Sequence, residues 1–438
     1  MSLSEYESRF LTELIKIPSV GGRYEPGSPY GKNPKAALDY FLNEAASHGF
    51  KTGSIDDKVG YAEYGKGDKL IGIVCHLDVV PKGDGWHTDP FTLTVKDGVF
   101  YGRGIVDDKG PACASFFAML RLIESDSFPD IRVRLILGTD EERTCSCVET
   151  YAEKGEIPDF AITPDAEFPV IFAEKGILHI RVFDRVRTGL KASGGSAANM
   201  VPDRASMEFK TDGHINYLDA EGKTAHASKP ELGINAVLKL AEKLNETDFD
   251  LSSSPLFDFI QNEINGGVQE RFTNCDIEDI SGRITANPAV LDIDEDGESL
   301  VIDIRYPVTY DLDKLMNDIE ICCGKYGLSV EKISHMAPLF KDKDTDEIKA
   351  LTEVWKANMS RYDGFKEEYR DIYTSPLAIG GGTYARHMPN TIAFGVQTPW
   401  QEDQCHQADE HMSVNDFEAN IELLKQAIVK LAEIKKEG

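Results

Sequence analysis

The chain has 438 residues, 41% hydrophobic and 28% charged, with a formal net charge of −28. That length exceeds one ordinary core and predicts at least two domains. The acid surplus argues against nucleic acid or an anionic membrane as partner, because both are bound through basic patches.

No apolar run is long enough to span a bilayer. The opening "MSLSEYESRFLTELIKI" mixes Glu and Arg in an amphipathic helix pattern and lacks the basic-then-apolar layout of a signal peptide. Lys35 to His48 predicts a helix, followed by strands near residues 58–64 and 69–75. "FTLTVKDGVFYGRG" predicts a hairpin turning at Lys96-Asp97-Gly98. Gly110 to Ser125 predicts a helix of small and apolar residues. "IRVRLILGTDEE" is a strand ending in acid, and "DFAITPDAEFPV" repeats that arrangement. Alternating strands and helices predict an α/β domain, a mostly parallel sheet with helices on both faces. Such sheets carry their sites at the carboxyl ends of the strands, where Asp78, Glu141/Glu142 and Asp165 all fall.

From about residue 177 the texture changes. "ILHIRVFDRV", "RASMEFK" and "SLVIDIRYPV" read as strands, with helices expected around 232–244, 311–324 and 344–359. This predicts an α+β insertion over 177–375 within a domain made of 1–176 and 376–438. The insertion is longer than the roughly 100–150 residues of one typical domain, so two lobes are expected. A Gly-rich loop, a buried strand and a long helix from about Asn415 close the chain. Eight cysteines show no framework spacing, which points to free thiols and a cytoplasmic protein.

In "KLIGIVCHLDVV" a buried strand ends in His76 and Asp78. The pair reads either as a core histidine bonded to its neighbour or as a metal ligand with its orienting carboxylate. In "YGRGIVDDKGP", Gly102 and Gly104 let the backbone turn tightly, and Asp107 follows as a candidate ligand. "GTDEERT" sets Glu141 beside Glu142, "TPDAEF" supplies Asp165 and "CHQADEHM" supplies His406, with His411 expected to face solvent. Each acidic fragment alone reads more readily as a solvated turn. Together, two imidazoles and three carboxylates suit two metal ions bridged by one carboxylate, and Glu141 is left over as a general base.

The series "HLDVVP", "GRGIVDDKGP", "GTDEE", "TPDAEFP", "NMVPDRA", "GKTAHAS", "DIRYP", "GGGTYAR" and "HQADE" runs in order through nearly the whole chain. It resembles the dinuclear-metal aminoacylase/carboxypeptidase family of peptidases, and within it the PepV-type dipeptidases related to carnosinase. The resemblance implies His76, Asp107 and Asp165 on one divalent metal, and Asp107, Glu142 and His406 on the other. It implies Glu141 as base, Asp78 as orienter of His76, and a cis bond after Asp107. The insertion becomes a lid, in which His226 donates to the oxyanion while Asn199, Arg305, Gly381 and Gly382 bind the substrate carboxylate. Zn is the expected metal, with Mn and Co able to use the same ligands. Where relatives commonly have glycine after the paired glutamates, this chain has "RTCSC", which puts Cys145 and Cys147 near the metals, as packing thiols. A metallo-dipeptidase working as a monomer on small peptides is the leading expectation. Its alternatives are an N-acyl-amino-acid deacylase or carboxypeptidase, and a non-catalytic metal-dependent binding protein.

Overall fold

The computed structural model describes residues 3–185, 189–211, 213–265 and 269–434. The chain opens with α1 (Glu5–Ile15), started by a Ser4–Glu7 capping box, and α2 (Lys32–Ser47). Strands β1 (Lys51–Ile55), β2 (Val59–Gly65) and β3 (Leu70–His76) precede a hairpin of β4 (Thr94–Lys96) and β5 (Val99–Tyr101). That hairpin turns through Asp97 and Gly98, both with positive φ, as the Asp-Gly pair predicts. Next come α3 (Lys109–Glu124), β6 (Arg132–Gly138), α4 (Ser146–Lys154), β7 (Phe160–Thr163) and β8 (Val170–Glu174). The middle stretch carries β9 (Gly176–Asp184), β10 (Lys191–Gly194), β11 (Arg204–Thr211), β12 (His214–Glu221) and α5 (Ala236–Asn245). It continues with β13 (Thr285–Ile293), β14 (Glu298–Tyr306), α6 (Leu312–Gly324) and β15 (Ser329–Met336). Then α7 (Asp346–Asn358), β16 (Thr391–Phe394) and α8 (Val414–Glu433) complete the chain.

The chain forms two compact units. One comprises the residues up to Phe172, Lys341–Leu377 and everything from Thr383 on; the other is Ala173–Phe340 with Ala378–Gly382.

In the first unit the strand order is β1-β2-β6-β3-β7-β16-β8. The four central strands β6, β3, β7 and β16 are parallel, and the flanking pairs are antiparallel. Every residue of β3 is buried, as a strand covered on both faces requires. On one face Val74, Ile136 and Ala161 pack with Val148 and Tyr151 of α4. A cluster of Phe10, Phe41, Phe116 and Phe117 joins α1, α2 and α3, with ring centroids 5.1–6.1 Å apart.

The second unit is a seven-stranded antiparallel sheet, in the order β12-β11-β10-β13-β14-β9-β15. Its apolar residues form one cluster that runs from Leu178 on β9 through Leu240 on α5 to Leu315 on α6 and Leu328. The expected pair of lobes is therefore replaced by one continuous sheet over one core.

The boundary expected at 375 also moves, to Phe340. The apolar stripe of α7 is spent within the first unit, where Trp355 stacks on Phe168 at 4.3 Å. No helix among the described residues is long and apolar enough to cross a membrane, and all eight cysteines are free thiols.

Candidate metal centre and substrate-binding residues

Neighbouring parallel strands deliver the acidic clusters. His76 is the last residue of β3, Glu141 and Glu142 follow β6, and Asp165 follows β7. Each strand is rigid because it is buried and laddered on both sides, so its end is a fixed point for a ligand.

His76 is completely buried. Its Nε2 lies 3.0 Å from Asp107 Oδ1, 3.5 Å from Asp165 Oδ2 and 3.9 Å from Glu141 Oε2. His406 Nε2 lies 3.1 Å from Asp107 Oδ2 and 3.1 Å from Glu142 Oε2. One oxygen of Asp107 thus faces each imidazole, the disposition expected of a bridging carboxylate. The donor atoms of His76, Asp107 and Glu142 lie within 4.8 Å of one another, as do those of His76, Glu141 and Asp165. Among the described residues, His76 Nε2 and Glu142 Oε1 are buried and find no hydrogen-bond partner. Buried polar atoms are normally satisfied, so these two atoms, aimed into a pocket of carboxylates, fit metal ligation.

The electrostatics agree. Burial pushes Glu141 up to about 8; His76 opposes that, and the carboxylates of Asp165, Asp107 and Glu142 add to it. Burial raises Glu142 and Asp165 as well. Hydrogen bonds with Asp107 and Glu142 push His406 up to about 10. Four acidic groups around two imidazoles compete for protons, and divalent cations would relieve that crowding.

The backbone supports this geometry. His76 donates its N–H to Asp108 Oδ2 at 2.8 Å, and the Asp107–Asp108 bond is cis. Gly104 has φ +90°, a left-handed conformation that suits glycine. The expected role of Asp78 is altered. Nδ1 of His76 faces the Asp78 backbone carbonyl at 3.0 Å, while its carboxylate stands 3.6 Å away. That carboxylate instead accepts the N–H groups of Glu141 at 3.1 Å and Glu142 at 3.2 Å. Asp78 therefore fixes the glutamate pair with its side chain and the His76 tautomer with its main chain.

Glu410 carried no assignment in the sequence reading. It is buried and accepts the N–H groups of Gly104, Val106 and Asp107 at 3.0, 2.7 and 3.2 Å, and Arg103 Nη1 at 2.8 Å. It shapes the loop that presents Asp107. Only its place four residues after His406, within "HQADE", could have signalled it. Cys145 Sγ lies 3.7 Å from Glu141 Oε1, and burial raises its thiol well above the ordinary range. Cys147 Sγ is 3.1 Å from Tyr384 Oη.

The remaining predicted residues belong to the second unit, which brings four stretches together. The Ala227 N–H donates to the Asn199 carbonyl at 2.9 Å, and Met200 bridges His226. His226 Nδ1 accepts from the Ser228 N–H at 3.2 Å and lies 2.7 Å from Ser228 Oγ. With Nδ1 an acceptor, Nε2 carries the proton and can donate. Desolvation, then the Arg305 guanidinium, lowers the basicity of His226 and keeps it neutral. Arg305 Nη1 donates to the Gly380 carbonyl at 3.1 Å, next to Gly381 and Gly382. Its Nε and Nη2 donate to Asp303 at 2.6 and 2.7 Å.

Comparison with known proteins is consistent with this geometry. The chain is 34% identical to YtjP of Bacillus subtilis (strain 168), itself named only provisionally as a dipeptidase, with 96% of each chain covered. Its fold matches human carnosine dipeptidase 1 with a TM-score of 0.59 at 14% identity, covering 98% of this chain and 97% of that one. It also matches Dug1p, a di-peptidase from Saccharomyces cerevisiae, with a TM-score of 0.58 at 14% identity, covering 98% and 96%. A model of peptidase family M20/M25/M40 matches residues 72–430, most of the chain, and the chain therefore belongs to that family of peptidases.

Proposed function

We propose that the chain is a metal-dependent dipeptidase whose two divalent ions are held by His76, Asp107 and Asp165, and by Asp107, Glu142 and His406. The observation that carries this reading is the set of ligand atoms gathered around Asp107, two of them buried and, among the described residues, otherwise unpartnered. Bound there, the ions would acidify a water and polarise the scissile carbonyl. Among the described residues the only partner of opposite charge near Glu141 is His76. Glu141 accepts the proton of the attacking water and passes it to the leaving amine. His226 donates its Nε2–H to the developing oxyanion.

Arg305 binds the substrate's terminal carboxylate. Three of its five N–H groups are committed to Asp303 and Gly380, which leaves one on each Nη to form a two-point contact. Asn199 and the amides of Gly381 and Gly382 assist. Zn suits the mix of imidazole and carboxylate, and Mn or Co accept the same donors. We read the protein as a cytoplasmic monomer in which His226 acts on its own chain's substrate. Mixing inactive Glu141→Gln with inactive His226→Ala chains tests this, since restored activity would reveal a shared dimeric site.

The decisive panel compares free dipeptides, N-blocked dipeptides and N-acyl amino acids on enzyme reloaded with Zn, Mn or Co. The dipeptidase reading predicts turnover of free dipeptides above the other two classes. Preference for acyl amino acids would replace it with a deacylase, and turnover of none would leave a binding protein.

A further inference from the structure

Three neighbouring strands of the second unit carry a row of polar side chains in register. His179 on β9 stands opposite Asp303 on β14 and Ser334 on β15. His179 Nε2 lies 2.9 Å from Asp303 Oδ2, and Ser334 Oγ lies 2.9 Å from His179 Nδ1. The members are those of a hydrolytic triad, but Asp303 is already committed. It is fully buried, and both of its oxygens accept from Arg305. The His179 Nε2–H therefore donates to Asp303, Asp303 holds the guanidinium, and Ser334 Oγ pairs with His179 Nδ1.

Arg305 is itself buried, 3% exposed, so its charge needs a permanent partner. An unrestrained arginine loses rotamer freedom when it is fixed. A guanidinium locked before the ligand arrives avoids that loss at the moment of binding. Burial raises Asp303, yet the hydrogen bonds from His179 and Arg305 outweigh it and keep the carboxyl below its ordinary range, hence ionised.

We propose that Ser334, His179 and Asp303 form a positioning relay that presets Arg305 for a substrate carboxylate and so makes a free C-terminal carboxylate a requirement for efficient turnover. The proposal rests on the role given to Arg305 above. None of the three relay residues is a catalytic residue, because each acts through Arg305.

The test uses the metal-loaded full chain and one dipeptide in two forms, with a free carboxylate and with a C-terminal amide. Asp303→Asn should raise KM for the free acid by roughly ten- to hundred-fold, the range of a lost charge-assisted hydrogen bond, while kcat changes little. The amide form should be unaffected. His179→Leu should shift KM in the same direction by less, and His179→Gln, whose amide can replace the Nε2–H donor, should recover most of it. Ser334→Ala should have the smallest effect. If Asp303→Asn does not fold, the His179 pair still decides. Equal losses on acid and amide, losses confined to kcat, or no effect of His179→Leu would overturn the relay. If Arg305→Ala fails to raise KM for the acid over the amide, the role of Arg305 falls, and the relay falls with it. A rise with Arg305→Ala but none with the relay variants would overturn the relay alone.

Discussion

The two units hold their functional side chains by different means. In the first, buried parallel strands end at or just before three of the proposed metal ligands, His76, Glu142 and Asp165, and backbone groups tie the supporting carboxylates down: Asp78 to two amides, Asp108 to one, Glu410 to three. In the second, the sheet is antiparallel, and the proposed binding residues sit on its strands and on the loops beside them, where the charged Arg305 is paired with the Asp303 side chain and His226 lies against the Ser228 side chain. Metal chemistry tolerates little displacement, so its ligands belong on elements that cannot move. Recognition of a peptide end needs charge and direction, which side-chain pairing supplies.

That contrast can be broken by mutation. The largest effect is expected from Glu141→Gln, because the amide keeps the shape but cannot accept a proton. Turnover should fall on the order of 10²–10⁴-fold, with metal content unchanged by elemental analysis. Next, His226→Ala removes one oxyanion donor from the second unit and should lower kcat by roughly 10²–10³-fold, again with metals retained. Full activity in that variant, measured with a free dipeptide, would exclude His226 from the reaction.

Glu410→Gln sharpens the comparison from the other side, since it loosens a support without touching a ligand. Losing part of the backbone cradle behind Asp107 should weaken metal affinity by about 10–100-fold, read by competition with a chelator. Unchanged affinity would show that the loop holds Asp107 without Glu410. The smallest effect is expected at Cys145. Burial raises its thiol well above the ordinary range and so disfavours the thiolate, which fits a packing thiol. Cys145→Ser should change kcat/KM by about twofold or less.

Much of the first unit was legible because its signals are local. The apolar run of β3 and the Asp-Gly hairpin are short-range patterns with one physical reading, and the acid at each strand end, ambiguous alone, gains its meaning from recurring. The ligands follow once the strands are placed. What escaped was relational. The stripe of α7 announces one buried face but not what covers it, so Trp355 against Phe168 could not be read from spacing, and the unit boundary was misplaced with it. Glu410 has no local mark in the sequence beyond its place after His406, because its burial against the 104–107 backbone depends on a sequence separation of about three hundred residues. Asp78 was recognised as a partner of His76, but nothing in a sequence distinguishes its carbonyl from its carboxylate. Asp303 and His179 form a pair only because β14 and β9 are neighbours in register.

Metal titration of the chelated protein tests the central claim most directly, with bound metal and dipeptide hydrolysis followed together. The account predicts no activity in the stripped protein, two equivalents of divalent metal bound per chain at saturation, and activity that returns as the sites fill. His76→Ala and His406→Ala should each reduce the stoichiometry. Hydrolysis that survives complete removal of metal, or two equivalents still bound after both histidines are replaced, would contradict it.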